Sequence, residues 1–407
     1  MRARLMPPRV PAMRYHNRLS MKRRPQPSCG NLGCETSIED PIRERSNITI
    51  PIVKLLASIP PDHRWERKAK GWFLEFRLIP VLLWSYTAVV LGTAVAYVAS
   101  GSLNPLWFVV ALGLGALIQG WETHAINEIY DWRSGTDQAD GGRALSGGSH
   151  VRNLGLLGER DLWWIFAISS VAVAVLTVWV VIERALWLAF LIVAGYGLGL
   201  AYTAPPVSTS YRPFAGEWLG GFPGVLLSGL GAYAIQTLSI SLVATTALVA
   251  HALVCTAMLV VHHYLDEPMD AGATPPKRTT VVALGYTNAR RYAGIMAGIA
   301  AALYAIIGAI VHPAFFLGAI FTVPAAWIHF HIEPTDLRSV TRNELRVIQL
   351  GVAAGLATAV GLAPPLWPLL PIAALGYFAH LAVAAPPPEL ARAWRKVPVT
   401  NSDSRRS

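Results

Sequence analysis

Two short stretches of this 407-residue chain set carboxylates at helical spacing beside long apolar runs. The first reads Glu122-Thr-His124-Ala-Ile-Asn127-Glu128-Ile-Tyr130-Asp131. Asn127 and Asp131 are four apart and share one helical face. Gly135 then breaks the helical pattern, which lets Asp137 fold back over its end. The second stretch steps His262, Asp266, Asp270 at successive i, i+4 positions, and Pro268 predicts a bend within it. Facing carboxylates repel unless a cation lies between them. Mg²⁺ suits such a pair: it takes oxygen ligands, keeps several waters and bridges carboxylates to phosphate oxygens. Arg143, Lys277 and Arg278 follow the two clusters and could grip a diphosphate. One cluster alone would also fit a solvated helix end paired with loop arginines. Two on one side, each with a basic residue behind it, point to a ligand site.

The elements that hold these clusters are hydrophobic. The chain is 53% hydrophobic and only 14% charged, well below the roughly 25% charged residues of soluble domains. Apolar runs of membrane-spanning length fall near 77–99, 105–127, 162–182, 185–203, 217–236, 241–264, 290–311, 313–331, 345–363 and 366–385. The predicted fold is an all-α polytopic transmembrane bundle of nine core helices plus a tenth, the last two divided only by Pro364-Pro365. Backbone groups in lipid must be satisfied within their own segment, which leaves helices as the way across. Residues 1–75 form a basic polar tail without an apolar stretch, expected to lack fixed structure. Residues 76–386 make the membrane domain, and 387–407 a second basic tail.

The net charge of +10 is read first as a topology signal, not as a nucleic-acid footprint. Lys and Arg gather in both tails and in the connections after the second, fourth, sixth and eighth runs. The alternate connections hold almost none. The positive-inside rule places both tails and both acidic clusters on the cytoplasmic side of the cell membrane. Three cysteines, Cys29, Cys34 and Cys255, show no paired spacing, so neither a disulfide framework nor a zinc site is supported. Cys255 reads as a small buried hydrophobe. His251 reads as a packed, hydrogen-bonded side chain.

With these residues in view, the sequence resembles the UbiA superfamily of intramembrane prenyltransferases. Its paired motifs match Asn127-Glu-Ile-Tyr-Asp131 with Asp137, and Asp266-Glu-Pro-Met-Asp270. The menaquinone-pathway (1,4-dihydroxy-2-naphthoate) branch is nearest in motifs, through Ser134-Gly-Thr-Asp137, Lys277-Arg278-Thr279, Tyr202-Thr-Ala-Pro205-Pro206, Tyr211-Arg212 and Gly216-Glu217. The resemblance spans about residues 75–365. It implies Mg²⁺-dependent transfer of a polyprenyl group from a polyprenyl diphosphate to an aromatic acceptor. Asp131, Asp137, Asp266 and Asp270 would hold metal. Asn127, Arg143, His262, Lys277 and Arg278 would bind diphosphate, and Asp131, Asp266, Asn127 and Lys277 would carry catalysis. Tyr130, Tyr202, Tyr211, Arg212 and Glu122 would face substrate or the allylic cation, with Trp218 a further aromatic for that cation. Two features depart from the family: His262 stands where Asn is common, and a tenth helix is added. The competing readings are a non-quinone acceptor (sugar-phosphate, glycerol-phosphate lipid, chlorin or haem) and a cation transporter. Acids at helix ends rather than mid-membrane disfavour the transporter.

Overall fold

A computed structural model describes residues 64–138 and 148–384. Arg143, Cys29, Cys34, most of the first tail and the second tail lie outside the described residues. The described residues form helices and connecting turns with no strand. Eight helices are long and apolar enough to cross a membrane, and two apolar helices are shorter. In chain order they are α1 (Arg64–Ser100), α2 (Pro105–Ser134), α3 (Glu159–Glu183), α4 (Leu188–Thr203), α5 (Glu217–Thr237), α6 (Leu242–Gly272), α7 (Thr280–Ile310), α8 (Phe315–His331), α9 (Leu337–Leu362) and α10 (Pro364–Ala384). This matches the predicted ten in number and order.

The helix starts follow capping chemistry. Asn104 accepts from the backbone N–H groups of Leu106 (3.0 Å) and Trp107 (3.3 Å), with Pro105 in the first turn of α2. Ser241 caps α6 through Ala244 N (3.0 Å). Asp336 caps α9 through the N–H groups of Arg338 and Ser339.

Several bounds differ from the hydropathy reading. α1 begins at Arg64, inside the expected tail, because one face of its first turns is buried at Gly71, Leu74 and Glu75. Lys68 also pairs with Asp161, and Arg67 donates to Gly155 O. α7 starts ten residues before its apolar run and absorbs a kink at Gly285, whose φ is +69°. α6 continues beyond its apolar run, through Pro268, to Gly272.

α1 and α6 are the central pair, each with 78% of its most apolar window buried, whereas α10 has 11% and lies at the rim. α1 packs on α5 and α9, α6 on α5 and α7, and α2 on α3. Gly92 of α1 faces the backbone of Gly229 on α5, so these helices touch backbone to backbone.

The connections after α2, α4, α6 and α8 meet at one end. Thr274 N donates to Ser134 O (2.9 Å) and Arg278 N to Tyr211 O (3.3 Å). His262 near that end of α6 reaches Glu344 near the start of α9 (2.8 Å). Both acidic clusters therefore share one end of the bundle.

Candidate active site

The last turns of α2 carry the first cluster. Asn127 Nδ2 donates to Asp131 Oδ2 (3.0 Å) and to Thr203 Oγ1 of α4 (2.8 Å). Asp131 is buried. Its Oδ1 accepts from Tyr211 Oη (2.8 Å) and its Oδ2 from Lys277 Nζ (2.7 Å). Gly135, at φ +90°, ends the helix as its spacing predicts. The turn returns Asp137 N to within 3.4 Å of Asp131 O. Burial, with Asp131 and Glu128 nearby, raises the Asp137 carboxyl well above its ordinary 3.8.

The last turns of α6 carry the second cluster. His262 Nε2 is 3.4 Å from Asp266 Oδ2, and Asp270 is fully buried one turn further. Lys277 sits between the clusters. Its backbone N–H donates to Asp270 O (2.9 Å), and its ammonium lies 2.7 Å from Asp131 and 3.9 Å from Asp270 Oδ1. Burial alone would push that ammonium down. Asp131, Asp270 and Asp137 outweigh it and hold Lys277 well above its ordinary value, as a cation. Burial, then Asp131, raises the Tyr211 phenol, which keeps its proton and remains a donor.

One ammonium does not satisfy this much anionic oxygen. Asp137 Oδ2 and both Asp270 oxygens are buried without a hydrogen-bond partner. Such oxygens are costly to leave unpaired, so the site fits a further cation. Among the described residues, no three His, Cys, Asp or Glu side chains close on one point as a ready-made metal cage. That suits Mg²⁺, which commonly takes one or two carboxylates and completes its shell with water and phosphate oxygens.

The site opens into a cavity lined by Asn127, Asp131, Asp137, Tyr202, His262, Asp266 and Lys277. Other expected residues lie elsewhere. Tyr130 sits beneath the Arg133 guanidinium, 5.5 Å from its ring centroid. Arg212 donates to Pro206 O (3.2 Å), and the Arg278 side chain is exposed. Trp218 is exposed and donates to Tyr292 Oη (2.6 Å). Glu122 is fully buried behind the wall, its Oε2 accepting from Thr123 Oγ1 (3.1 Å), while Thr123 and His124 face the cavity. Neither Glu122 nor Tyr130 lines the cavity.

Sequence reasoning missed four polar groups here. Arg77 lines the cavity at a break in α1, in left-handed backbone at φ +48°. Glu344 of α9 lines it beside His262. Glu75 and Glu128 meet at Ser149, whose Oγ donates to Glu75 Oε2 (2.6 Å) and whose N–H donates to Glu128 Oε2 (2.9 Å). Arg77 and Glu344 sit in short charged stretches beside apolar runs, Arg77 after Glu75 and Glu344 between Arg342 and Arg346, so nothing local set them apart.

Residues 82–347 match the UbiA prenyltransferase family, well over half of the chain. Among solved structures, a UbiA homolog from Archaeoglobus fulgidus bound to GPP and Mg²⁺ superposes with a TM-score of 0.50 at 15% identity. It covers 71% of this chain and 99% of its own. The same homolog bound to DMAPP and Mg²⁺ gives 0.50 at 15% identity, over 70% of this chain and 98% of its own. No curated relative matches the sequence.

Proposed function

The chain belongs to the UbiA prenyltransferase family, and from that membership we propose that it transfers a polyprenyl group from a polyprenyl diphosphate to an aromatic quinone precursor, with Mg²⁺ as cofactor. It is a multi-pass membrane protein, and we place its site on the cytoplasmic face of the cell membrane, on the loop-charge asymmetry. The observation that carries the reading is the buried Lys277 ammonium, bracketed by Asp131 and Asp270 at the head of an apolar cavity. A permanent cation among unpaired carboxylate oxygens is a receptacle for an anion that arrives with its own divalent ion. The GPP, DMAPP and Mg²⁺ held by the Archaeoglobus homolog belong to the same ligand class.

In this reading the allylic C–O bond breaks with its electron pair passing to the diphosphate. A ring carbon of the acceptor forms the new C–C bond, and the ring then loses a proton. Asp131, Asp137, Asp266 and Asp270 would hold Mg²⁺, which when bound would neutralise the charge of the leaving diphosphate. Lys277 donates to the diphosphate oxygens as charge develops on them. Asn127 is fixed by Asp131 and Thr203 and orients an oxygen ligand. Tyr202 offers an aromatic face to the cation, such a contact contributing roughly 0.5–2 kcal/mol. The acceptor is assigned to the 1,4-dihydroxy-2-naphthoate type. The support is that Ser134, Tyr211 and Lys277, each from a motif block of that branch, meet around Asp131.

The test incubates purified protein in detergent with labelled geranylgeranyl diphosphate and a panel of naphthoate, benzoate and non-quinone lipid acceptors. Mg²⁺-dependent prenylation of the naphthoate ring is expected. Absence of Mg²⁺-dependent diphosphate release with every acceptor would sink the reading.

A further inference from the structure

The cavity does not stop at the acids. It continues along one face of each of α2, α4 and α5 toward the opposite end of the bundle, where Val180, Leu188 and Ile235 line its floor. On α2 the lining runs from Asp131 back to Ala111 in steps of three and four residues, an entire helix face. Beyond Tyr202 the lining is largely apolar, with Ser85, Gln119 and Ser228 among its polar members, and glycines leave room along it. A Cβ placed on Gly195, Gly224 or Gly231 would meet nothing within 4 Å, so these positions look onto open space. Gly224 and Gly231 are two turns apart on one face of α5, at two depths of the same lane.

The far end is tied shut. Arg184, after α3, donates through Nε to Ile235 O (3.0 Å) and through Nη2 to Gln236 O (3.0 Å). Its guanidinium also lies over Trp107 of α2, 5.6 Å from the ring centroid. Gln236 closes the pattern with two hydrogen bonds to the Asn104 backbone (3.0 Å each). The ends of α2, α3 and α5 are thereby latched across the floor. Arg184 is the lone charge of its connection, and this latch gives it a structural task.

We propose that this closed lane measures the donor, so that the enzyme prefers a prenyl chain of about four isoprene units, with Gly224 and Gly231 as the residues that keep the lane open. The inference rests on the prenyl-diphosphate reading of the acidic site. The length follows from geometry. Tyr202 to Leu188 on α4 spans fourteen residues, or roughly 21 Å at about 1.5 Å per residue. With carbon–carbon bonds of about 1.5 Å, a four-carbon isoprene repeat extends roughly 5 Å, so about four units reach the floor. A shorter chain leaves apolar wall unfilled, and a longer one meets the latched end.

The experiment compares geranyl, farnesyl, geranylgeranyl and a longer polyprenyl diphosphate as donors, for the wild type and for Gly231→Leu and Gly224→Leu, in lipid nanodiscs. For the wild type, kcat/KM should rise to geranylgeranyl and not beyond. Gly231→Leu should cost geranylgeranyl about 10-fold or more, the scale at which one filled or emptied pocket position is felt, while geranyl changes less than about two-fold. Gly224→Leu, nearer the acids, should shift the optimum to a shorter donor still. An equal fall with all donors in Gly231→Leu, or a wild type that uses geranyl as well as geranylgeranyl, overturns the ruler while leaving prenyl transfer in place. A wild type that consumes no donor overturns the prior reading and this one with it.

Discussion

His262 Nδ1 lies 2.8 Å from Glu344 Oε1, a contact that joins α6 to α9 across 82 residues of sequence. Glu344 is 2% exposed and its second oxygen has no hydrogen-bond partner. The pair fixes the imidazole so that Nε2 faces Asp266 at 3.4 Å. Glu344 is thus a positioning residue for the second acidic cluster. Removing one member of a buried hydrogen-bonded pair costs about 1–3 kcal/mol. Glu344→Ala should lose that much stability and raise the KM for the donor. His262→Asn supplies the amide common in the family and should keep kcat/KM within about 10-fold, whereas His262→Ala should lose more; about 1.4 kcal/mol separates each decade. Equal losses for Asn and Ala would show that the imidazole position carries no hydrogen bond of consequence.

Asp131 and Lys277 test the core of the site. Their 2.7 Å pair is buried, and deleting one partner of a buried pair typically costs about 3–5 kcal/mol. Alanine at either position would confound folding with catalysis. Asp131→Asn keeps the shape and the Tyr211 contact while removing the charge, and should fold less stably than the wild type but better than alanine, with kcat per folded protein reduced by about 10²–10³-fold. Lys277→Arg keeps the charge but spreads it over a plane too broad for a space fitted to an ammonium, and should also lose activity. Near-normal turnover in Asp131→Asn would remove that cluster from the mechanism.

Much of this arrangement was legible in the sequence, and the reason is physical. Carboxylates clustered at the ends of apolar runs are uncommon, so Asp131, Asp137, Asp266 and Asp270 stood out. The 3.6-residue period assigned Asn127 and Asp131 to one face, and the hydrogen bond between them is there. The Lys277–Asp131 contact was not legible, because 146 residues separate the partners and nothing local encodes their approach. Arg77 lies at a break within α1, two residues after Glu75, and Glu344 lies among Arg342, Asn343 and Arg346, so each reads as part of a solvated charged stretch. Helix starts were read too late where polar turns precede the apolar stretch. α7 opens at Thr280 and carries Asn288, Arg290 and Arg291 in its early turns, which a hydropathy reading takes for a loop.

Asp137 sets a pH dependence whose sign can be worked out. Its carboxyl is raised in the folded chain, by burial first and then by Asp131 and Glu128. Between its ordinary 3.8 and the raised value, the folded state binds the proton that the unfolded chain has released. Its contribution to stability is fully present below 3.8 and is lost over that window as pH rises toward the raised value. A divalent cation competes with the same proton. Half-saturating Mg²⁺ for turnover should therefore increase as pH is lowered, and Asp137→Asn should flatten that dependence. Lys277 is raised above its ordinary 10.5, so it should add no alkaline limb to the rate profile below that pH. A Mg²⁺ requirement independent of pH would show that Asp137 does not meet the ion.

Arg77 separates backbone from charge. It breaks α1 at φ +48° and ψ +56° while its side chain lines the cavity among His124, His262 and Glu344. Left-handed backbone costs a non-glycine residue about 1–2 kcal/mol, whereas glycine adopts it freely. If the break exists to present the guanidinium, two substitutions should part company. Arg77→Ala and Arg77→Gly should lose turnover to the same extent, about 10-fold or more, the scale of one lost hydrogen bond to a charged group. Arg77→Gly should nevertheless melt higher than Arg77→Ala, because it relieves the strain and keeps the break. Thermal unfolding in detergent and initial rates on the same preparations settle both halves. Loss of activity in Ala but not in Gly would mean that the bend, and not the charge, is what the site requires.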